Sequence, residues 1–270
     1  MDYKKLKSSH KIPVVGLGTW ELTGRTCFQA VKKAIELGYR HIDTAEIYGN
    51  QKEIGAAIKG FDREKLFITS KVWRSNLHYN DVLKACTLTL KELGIEYLDL
   101  YLVHWPNSSI PIEETISAME HVYKEGKIRS FGVSNFNIPH LKEALKHAKL
   151  PISLNQVEFH PYLYQKELLE FCKKNDIAVT AYSPLARGTI LKNPVMVDMA
   201  NRFGKQTSQI ALKWLLQKGL VVIPKASSEE HLKGNLNLFG WELSEEDIMQ
   251  IGGLNKNYRI VAPSFGEFDN

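Results

Sequence analysis

The sequence predicts a closed (β/α)8 TIM barrel, in which eight parallel strands alternate with helices around one axis. Short runs rich in β-branched and aromatic residues alternate with longer segments whose apolar residues recur every three or four positions. Successive units are roughly 25–30 residues apart, and no Pro-, Gly- or Ser-rich linker separates them. Because eight such units fit one barrel, we expect residues 1–270 to form a single domain.

Eight short segments are the predicted barrel strands. They are residues 14–18, 39–43, 66–71, 98–104, 128–134, 153–158, 177–182 and 220–224. Helical periodicity is clear in residues 25–38, 80–94, 111–127 and 166–176. Gly38, Gly94 and Gly126 stand where helices are expected to end, since glycine readily adopts the left-handed backbone of a C-cap. The residues ahead of the first strand are expected to form a short hairpin that covers the barrel floor.

An open, doubly wound sheet is the other architecture that such a pattern allows. Its dinucleotide fingerprint is incomplete, because "GLGTW" offers Gly16 and Gly18 but no third glycine that opens a helix. A phosphate-binding loop of the GxxxxGK[ST] type is also missing from the sequence. The barrel is therefore the favoured fold.

Composition excludes several kinds of function. The chain is 44% hydrophobic and 24% charged, with a formal net charge of +5, as in ordinary globular proteins. It has no long basic run interleaved with aromatic residues, so we expect no nucleic-acid partner. Apolar runs stay well below the roughly 18 residues that span a membrane, and the N-terminus lacks the apolar core of a secretion signal.

The cysteines point to a reducing compartment. Cys27, Cys86 and Cys172 are odd in number and widely spaced, which indicates reduced thiols and not a disulfide framework or a CxxC metal site. We therefore expect a cytoplasmic protein without a metal ion. We also expect it to be a monomer.

Polar and aromatic side chains follow the predicted strands, at the end where barrel enzymes carry their active sites. In chain order they are Thr19, Trp20, Asp43, Tyr48, Lys71, Trp73, His104, Trp105, Ser134, Asn135, Gln156, Glu158, Tyr182, Ser183 and Lys225. Each has an ordinary explanation when taken singly: Asp43 as a helix N-cap, Lys71 as a solvated loop lysine, His104 as a satisfied core histidine. Their joint appearance at successive strand ends favours a functional site.

Three of these residues make chemical sense as one unit. A free tyrosine has a pKa of about 10, which is too high for efficient proton exchange near neutrality. A lysine ammonium within about 4–6 Å lowers that pKa, and a carboxylate keeps the buried ammonium charged. Asp43, Lys71 and Tyr48 are therefore predicted to make a proton donor, with His104 orienting a carbonyl oxygen. On this hypothesis, reduction slows as pH rises through the lowered tyrosine pKa.

A proton donor for a carbonyl oxygen requires a hydride donor for the carbon, and the other strand ends suit a nicotinamide. Tyr182 can stack on its ring, and a second group of residues can bind its carboxamide: Ser134, Asn135 and Gln156. Lys225 precedes a probable helix whose N-cap is Ser227 or Ser228. A cation next to a helix N-terminus is a site for a nucleotide phosphate.

The motifs at these strand ends resemble those of the aldo-keto reductase superfamily over nearly the whole chain. In order they are "GLGTW", "GYRHIDTAEIYGN", "ITSKVW", "YLDLYLVHWP", "GKIRSFGVSNF", "NQVEFHPY", "VTAYSPLARG" and "VIPKASS". "GLGTW" alone is a weak signal, whereas the ordered set is highly specific. The length of the chain is most similar to that of compact microbial members, including the 2,5-diketo-gluconate reductase group.

The resemblance implies a catalytic tetrad of Asp43, Tyr48, Lys71 and His104, with Tyr48 as general acid in the reduction of an aldehyde or ketone. It implies NADPH, with NADH as the alternative, across the barrel mouth. The implied cofactor contacts are Thr19, Trp20, Asp43, Ser134, Asn135, Gln156, Tyr182, Ser183, Leu185, Lys225, Ser227, Ser228, His231 and Asn235. The implied substrate pocket is lined by Trp20, Trp73, His104 and Trp105, and no metal takes part.

Two departures from the family pattern bear on specificity. The usual "IPKS" continues here with Ala226, and His231 replaces an arginine that many members carry. Both changes weaken the expected site for the 2′-phosphate of NADPH, because histidine cannot make the bidentate contact that arginine makes to phosphate. The segment after Trp105 and the C-terminal tail are short, so we expect an open, permissive substrate pocket.

Two other functions are compatible with a barrel of this kind. A Schiff-base lyase or aldolase would use Lys71 or Lys225 as an uncharged nucleophile, which Asp43 disfavours for Lys71. A non-catalytic binding module would bind the cofactor without turnover, which the complete tetrad disfavours.

Overall fold

The computed structural model describes residues 2–268. Its first element is a hairpin of two antiparallel strands, β1 (Tyr3–Lys5) and β2 (Lys11–Pro13). Leu6 and Ile12 of this hairpin are buried against a cluster at the bottom of the barrel, made of Phe67, Leu100, Leu102, Leu154, Ala178 and Val221. The predicted cover of the barrel floor is therefore confirmed.

Eight parallel strands follow, each hydrogen-bonded to the next in chain order. They are β3 (Leu17–Gly18), β4 (His41–Asp43), β5 (Phe67–Val72), β6 (Leu100–Val103), β7 (Phe131–Ser134), β8 (Ile152–Glu158), β9 (Ala178–Tyr182) and β10 (Val221–Val222). A parallel bridge between Val15 and Val222 joins the first strand to the last. Gly16 donates to the Val222 carbonyl at 2.8 Å, and Val222 donates to the Val14 carbonyl at 2.9 Å. The barrel is closed, as predicted.

The seam between β3 and β10 depends on a glycine. A Cβ atom at Gly18 would lie 2.5 Å from the Ile223 carbonyl oxygen, which is well inside contact distance. The two backbones approach this closely because Gly18 has no side chain. Gly18 of "GLGTW" thus serves barrel closure.

Ten helices surround the barrel within residues 2–268. They are α1 (Gly24–Glu36), α2 (Gln51–Ile58), α3 (Tyr79–Leu93), α4 (Ile112–Lys124), α5 (Ile138–His147), α6 (Lys166–Lys174), α7 (Pro194–Phe203), α8 (Thr207–Gln217), α9 (Glu229–Leu236) and α10 (Glu245–Gly252). The four helices predicted from periodicity are confirmed. Gly94 caps α3 at φ 64°, whereas Gly38 and Gly126 lie one residue beyond the caps of α1 and α4.

Several strands are shorter than predicted. The predicted strand 98–104 pairs regularly only over Leu100–Val103, and the predicted strand 128–134 only over Phe131–Ser134. Leu98 and Ile128 form an isolated parallel bridge ahead of these two strands. The pairing of β7 with β8 shifts in register between Phe131 and Val133. The apolar character of these segments continues beyond the ladder because they are buried there as well. Among the described residues, no helix is both long and apolar enough to cross a membrane.

Candidate active site

A pocket of about 570 Å³ opens at the C-terminal ends of the barrel strands. Most of the predicted site residues line it: Thr19, Trp20, Asp43, Tyr48, Trp73, His104, Trp105, Ser134, Asn135, Gln156, Tyr182, Ser183, Leu185 and Lys225. Lys71 lies behind these residues and has no exposed surface. The barrel therefore gathers at one mouth the side chains that the sequence distributes over its strand ends.

The Lys71 ammonium is held between a carboxylate and a phenol. β4 ends in Asp43, β5 carries Lys71, and a single 3₁₀ turn over Glu46–Tyr48 places Tyr48 above them. Lys71 Nζ donates to Asp43 Oδ1 at 2.5 Å and to the Thr44 carbonyl at 2.8 Å, and it lies 3.4 Å from the Tyr48 hydroxyl. A buried ammonium requires partners of this kind, since its desolvation is otherwise uncompensated.

The structure corrects the expected pKa of Tyr48. Burial raises the pKa of the Tyr48 hydroxyl well above its usual value, and the Asp43 carboxylate raises it further. Burial also lowers the pKa of Lys71, although the charge and hydrogen bond of Asp43 oppose this. The sequence indicates which charges are neighbours but not how deeply they lie, so the predicted lowering of the Tyr48 pKa is wrong. In the free protein the phenol is protonated at neutral pH.

His104 follows β6, and its ring contacts the rings of Tyr48 and Trp73. Its ring meets Tyr48 edge-on at a centroid distance of 5.7 Å and Trp73 at 5.2 Å. Burial, followed by the charge of Lys71, lowers the pKa of His104 well below its usual value, so the imidazole is neutral. The Nδ1 atom is buried and has no partner among the described residues.

A hydrogen-bonded group of amides and hydroxyls also lines the pocket. Tyr182 donates its hydroxyl to Asn135 Oδ1 at 2.8 Å, and Asn135 Nδ2 donates to the His104 carbonyl at 2.9 Å. Ser134 Oγ donates to the Gln156 carbonyl at 2.7 Å. Asn135 has a φ of 61° and Ser183 a φ of 47°, so both hold left-handed backbone at the strand ends. Such strained backbone commonly occurs at functional sites.

The predicted phosphate-binding residues do not all lie in the pocket. Lys225 is at the rim, where its ammonium pairs with Glu21 at 2.7 Å. Ser228 caps α9 by accepting from the His231 backbone at 3.2 Å, which identifies the N-cap that the sequence left open between Ser227 and Ser228. The remaining cofactor candidates lie outside the pocket lining: Ser227, Ser228, His231 and Asn235. The first three are exposed and Asn235 is buried.

The C-terminal tail forms part of the pocket wall. Val261, Pro263 and Phe265 line the pocket. The Phe265 ring meets Trp73 edge-on at 5.7 Å and Trp105 at 5.6 Å. The short tail thus contributes part of the pocket wall, and the expectation of a permissive pocket stays a prediction. The aromatic spacing in "VAPSFGEF" is the only sequence signal of this contact.

The pocket also contains residues that the sequence pattern does not predict. They are Gly18, Glu21, Ile47, Pro184, Arg187, Gly188, Ile223 and Pro224. Arg187 has a φ of 48° between Ala186 and Gly188, which are also left-handed, and it lies at the pocket rim near Glu21. Glu46 is another residue that the sequence pattern does not predict. Its carboxylate accepts from the Trp73 backbone at 2.9 Å and from Asn76, which fixes the start of the Trp73 loop.

A closed parallel barrel with titratable and aromatic side chains gathered at the strand C-termini defines this chain as a barrel enzyme. Comparison with known sequences then gives the family: residues 14–256 match the Aldo/keto reductase family. The chain belongs to that family, as its motifs indicate. It is accordingly an NAD(P)H-dependent oxidoreductase of carbonyl groups.

Individual relatives agree with this assignment. The chain is 45% identical over 262 residues to a glyoxal reductase of Bacillus subtilis (strain 168), covering 96% of this chain and 95% of the relative. Among solved structures, MGS-M4, an aldo-keto reductase from a Medee basin deep-sea metagenome library, superimposes with a TM-score of 0.95 at 40% identity and full coverage of both chains. A structure provisionally assigned as a 2,5-diketo-D-gluconic acid reductase B gives 0.94 at 36% identity, covering 97% of this chain and 95% of that one. The predicted likeness to compact microbial members is confirmed.

Proposed function

We propose that this protein uses NADPH to reduce small aldehydes and ketones, with Tyr48 as the general acid. One observation carries the proposal: the Lys71 ammonium lies 2.5 Å from Asp43 and 3.4 Å from the Tyr48 hydroxyl, at a pocket that can admit a carbonyl compound. A phenol in contact with a buried cation can release its proton in the transition state, because the cation stabilises the resulting phenolate.

The chemistry of the pocket fits a nicotinamide cofactor. Tyr182 offers an aromatic face, and Gln156 Oε1 accepts no hydrogen bond from the described residues, which leaves it available for a carboxamide. Lys225 at the rim and the N-terminus of α9 outside the pocket lining offer positive charge to phosphate groups. When bound, a reduced nicotinamide supplies the hydride for the carbonyl carbon.

The residues of this chain then have separate tasks. Tyr48 gives its proton to the carbonyl oxygen as the hydride arrives, and Lys71 stabilises the phenolate that remains. Asp43 holds the ammonium in place by its 2.5 Å contact. His104, kept neutral by burial, orients the carbonyl oxygen with a hydrogen bond. Water then returns a proton to Tyr48, and the aromatic walls limit how much water is present during the reaction.

Substrate and cofactor preferences follow from the walls and the rim. The wall of Trp73, Trp105 and Phe265 suits short or flat carbonyl compounds, and a relative carries the name glyoxal reductase. We favour NADPH over NADH because Lys225 is retained at the rim, although Ala226 and His231 supply weaker phosphate contacts than the usual residues.

The setting of the enzyme is part of the proposal. Cys27, Cys86 and Cys172 are all free and buried, which supports work in the reducing cytoplasm. We propose that residues 1–270 act as one domain and as a monomer, with no nucleic-acid or membrane partner. A short carbonyl compound is the proposed partner.

A direct assay tests this function. Purified protein should oxidise NADPH when methylglyoxal or another short aldehyde is present, and not in its absence. Tyr48→Phe should lose at least about 100-fold in kcat while still binding NADPH, since only the proton donor is removed. Tyr3→Phe, on the exposed hairpin, is the matched control and should keep full activity. If Tyr48→Phe retained most of its turnover, the acid would have to be another group.

The Schiff-base alternative receives no comparable support. Burial lowers the pKa of Lys71, but the charge and hydrogen bond of Asp43 oppose this, and Lys225 is exposed and paired with Glu21. Each lysine thus has a carboxylate partner that favours the charged ammonium over the uncharged nucleophile. Borohydride treatment with a bound carbonyl compound should therefore leave the protein mass unchanged. A covalent adduct on either lysine would reverse this choice.

A further inference from the structure

We propose that Glu267 is a positioning residue that fixes the C-terminal tail across the barrel mouth and thereby sets the size of carbonyl compound that the pocket admits. The tail is defined here as residues 257–268. The inference rests on the proposed reductase function, because it concerns the pocket in which that reaction takes place.

The near end of the tail is fixed by a buried carboxylate. The Glu158 carboxylate, at the end of β8, accepts from the backbone of Ile260 and of Val261, both at 2.8 Å. His160 Nε2 lies 2.8 Å from the same carboxylate, and the side chains of both Glu158 and His160 have no exposed surface. The tail therefore leaves the barrel from a fixed point on β8.

The far end of the tail is fixed by its own carboxylate. Glu267 Oε1 accepts from the Ser108 backbone at 3.1 Å, and Glu267 Oε2 lies 3.0 Å from His140 Nε2. Ser108 belongs to the loop after β6, and His140 lies in the first turn of α5. Burial opposes ionisation of Glu267, but its hydrogen bonds with Ser108 and His140 hold its pKa below the usual value. Glu267 thus joins the tail to two other segments of the mouth.

Between these two anchors the tail presents Phe265 to the pocket. The ring packs against Trp73 and Trp105, and the Arg74 guanidinium lies 4.7 Å from its centroid on the loop after β5. Phe265 is only two residues from Glu267, so its position depends on that anchor. Phe268 adds a second contact to Trp105 at 5.7 Å, beyond the anchor.

Releasing Glu267 should therefore enlarge the pocket without altering the reactive groups. Phe265 would lose the support that holds it against the two tryptophans, and part of the pocket wall would move. A short carbonyl compound would lose contacts and bind more weakly, whereas a bulky one would gain room. The step in which Tyr48 gives its proton would keep its geometry, because within residues 2–268 Lys71, Asp43 and His104 form no hydrogen bond, ion pair or ring contact with the tail.

Steady-state kinetics on Glu267→Gln separates these effects. We expect KM for methylglyoxal to rise about three- to tenfold with kcat nearly unchanged, and kcat/KM for a bulky aromatic aldehyde to rise relative to methylglyoxal. Glu113→Gln is the matched control, because Glu113 and Glu267 line one further cavity, which contains Ser108, His140 and His147 as well. The Glu113 carboxylate lies 3.7 Å from His147 and has no ion pair or hydrogen bond with the tail within residues 2–268. A change of the same size in both variants would overturn the proposal.

Two further measurements connect the kinetics to the tail. Amide hydrogen exchange over the tail should be faster in Glu267→Gln than in wild type, and unchanged in Glu113→Gln. Phe265→Ala should shift substrate preference in the same direction, and adding Glu267→Gln to it should change little more, since both act through one ring. Unchanged exchange, or fully additive shifts in preference, would overturn the proposal.

The outcomes also separate this inference from the proposed function. If wild type reduced no carbonyl compound, the proposed function itself would be wrong. If wild type were active and Glu267→Gln behaved like wild type, only this inference would be overturned.

Discussion

Gln156 donates its side-chain amide to Asp43 across the barrel, with Nε2 lying 2.7 Å from Oδ2. The other oxygen of the same carboxylate receives the Lys71 ammonium. Asp43 is thus held from β8 on one side and from β5 on the other, and its backbone carbonyl also accepts from the Thr19 hydroxyl at 2.9 Å. The carboxylate that orients the reactive lysine is itself oriented by a residue proposed to bind the cofactor.

Replacing Gln156 by leucine should therefore weaken the fold as well as the site. One carboxylate oxygen of Asp43 would remain buried without a partner, at a cost of about 1–3 kcal/mol in the free energy of unfolding. Urea unfolding followed by circular dichroism measures this loss. Gln217→Leu removes an amide on α8 that donates to the Leu243 backbone and not to a carboxylate, so it shows how much the loss of an ordinary amide hydrogen bond costs. An effect at Gln156 no greater than that at Gln217 would argue against a special demand of Asp43.

The sequence could predict the site where chain order alone decides position. In a parallel barrel every strand ends at the same mouth, so Asp43, Lys71 and His104 had to converge once the strands were recognised. The contacts of the tail could not be predicted, because Glu158 meets Val261 only when two distant segments fold together. The sequence predicts the wrong direction for the pKa shift of Tyr48. The shift depends on how deeply the hydroxyl is buried, and the neighbouring residues in the sequence do not show this depth.

The raised pKa of Tyr48 changes the expected pH dependence of reduction. Since the phenol stays protonated above neutrality and the buried imidazole of His104 stays neutral below it, both required forms persist on either side of pH 7. We expect kcat for reduction to stay nearly level from about pH 6 to 9, while oxidation of the alcohol rises with pH because it requires the phenolate. Initial rates in both directions over this range test the expectation. A fall in reduction centred near pH 8 would show that cofactor binding lowers the Tyr48 pKa.

Buried histidines should make the fold sensitive to acid. Burial lowers the pKa of His41 from its ordinary 6.5 to about 4, partly offset by the charge of Asp43. The unfolded chain therefore binds a proton below about pH 6.5 that the native state does not bind until about pH 4, so stability falls as pH falls through that window. For His41 alone the loss amounts to ~3 kcal/mol by pH 4.

Equilibrium unfolding in urea at pH 7 and pH 5 measures this loss. His41→Gln should reduce the difference between the two values, since glutamine does not titrate, whereas His231→Gln on the exposed start of α9 should leave it unchanged. His41 packs against Phe67 at 5.3 Å, so the variant should also be less stable at pH 7. An unaltered pH difference in His41→Gln would show that other groups, such as Glu158, control the acid response.

Cofactor preference should depend on the rim lysine. Lys225 is paired with Glu21 at 2.7 Å in the free protein, and both side chains are about half exposed, so a phosphate can compete for the ammonium at little cost. Replacing Lys225 by methionine should raise Kd for NADPH about tenfold and Kd for NADH less than about threefold, because only NADPH carries the 2′-phosphate. Tryptophan fluorescence measures both constants, since Trp20 is half exposed at the same rim.

Lys233→Met on α9, where the lysine pairs with Glu229, is the control and should change neither value. Equal weakening of both cofactors would place Lys225 on a phosphate that they share, and the preference for NADPH would then have to come from another residue.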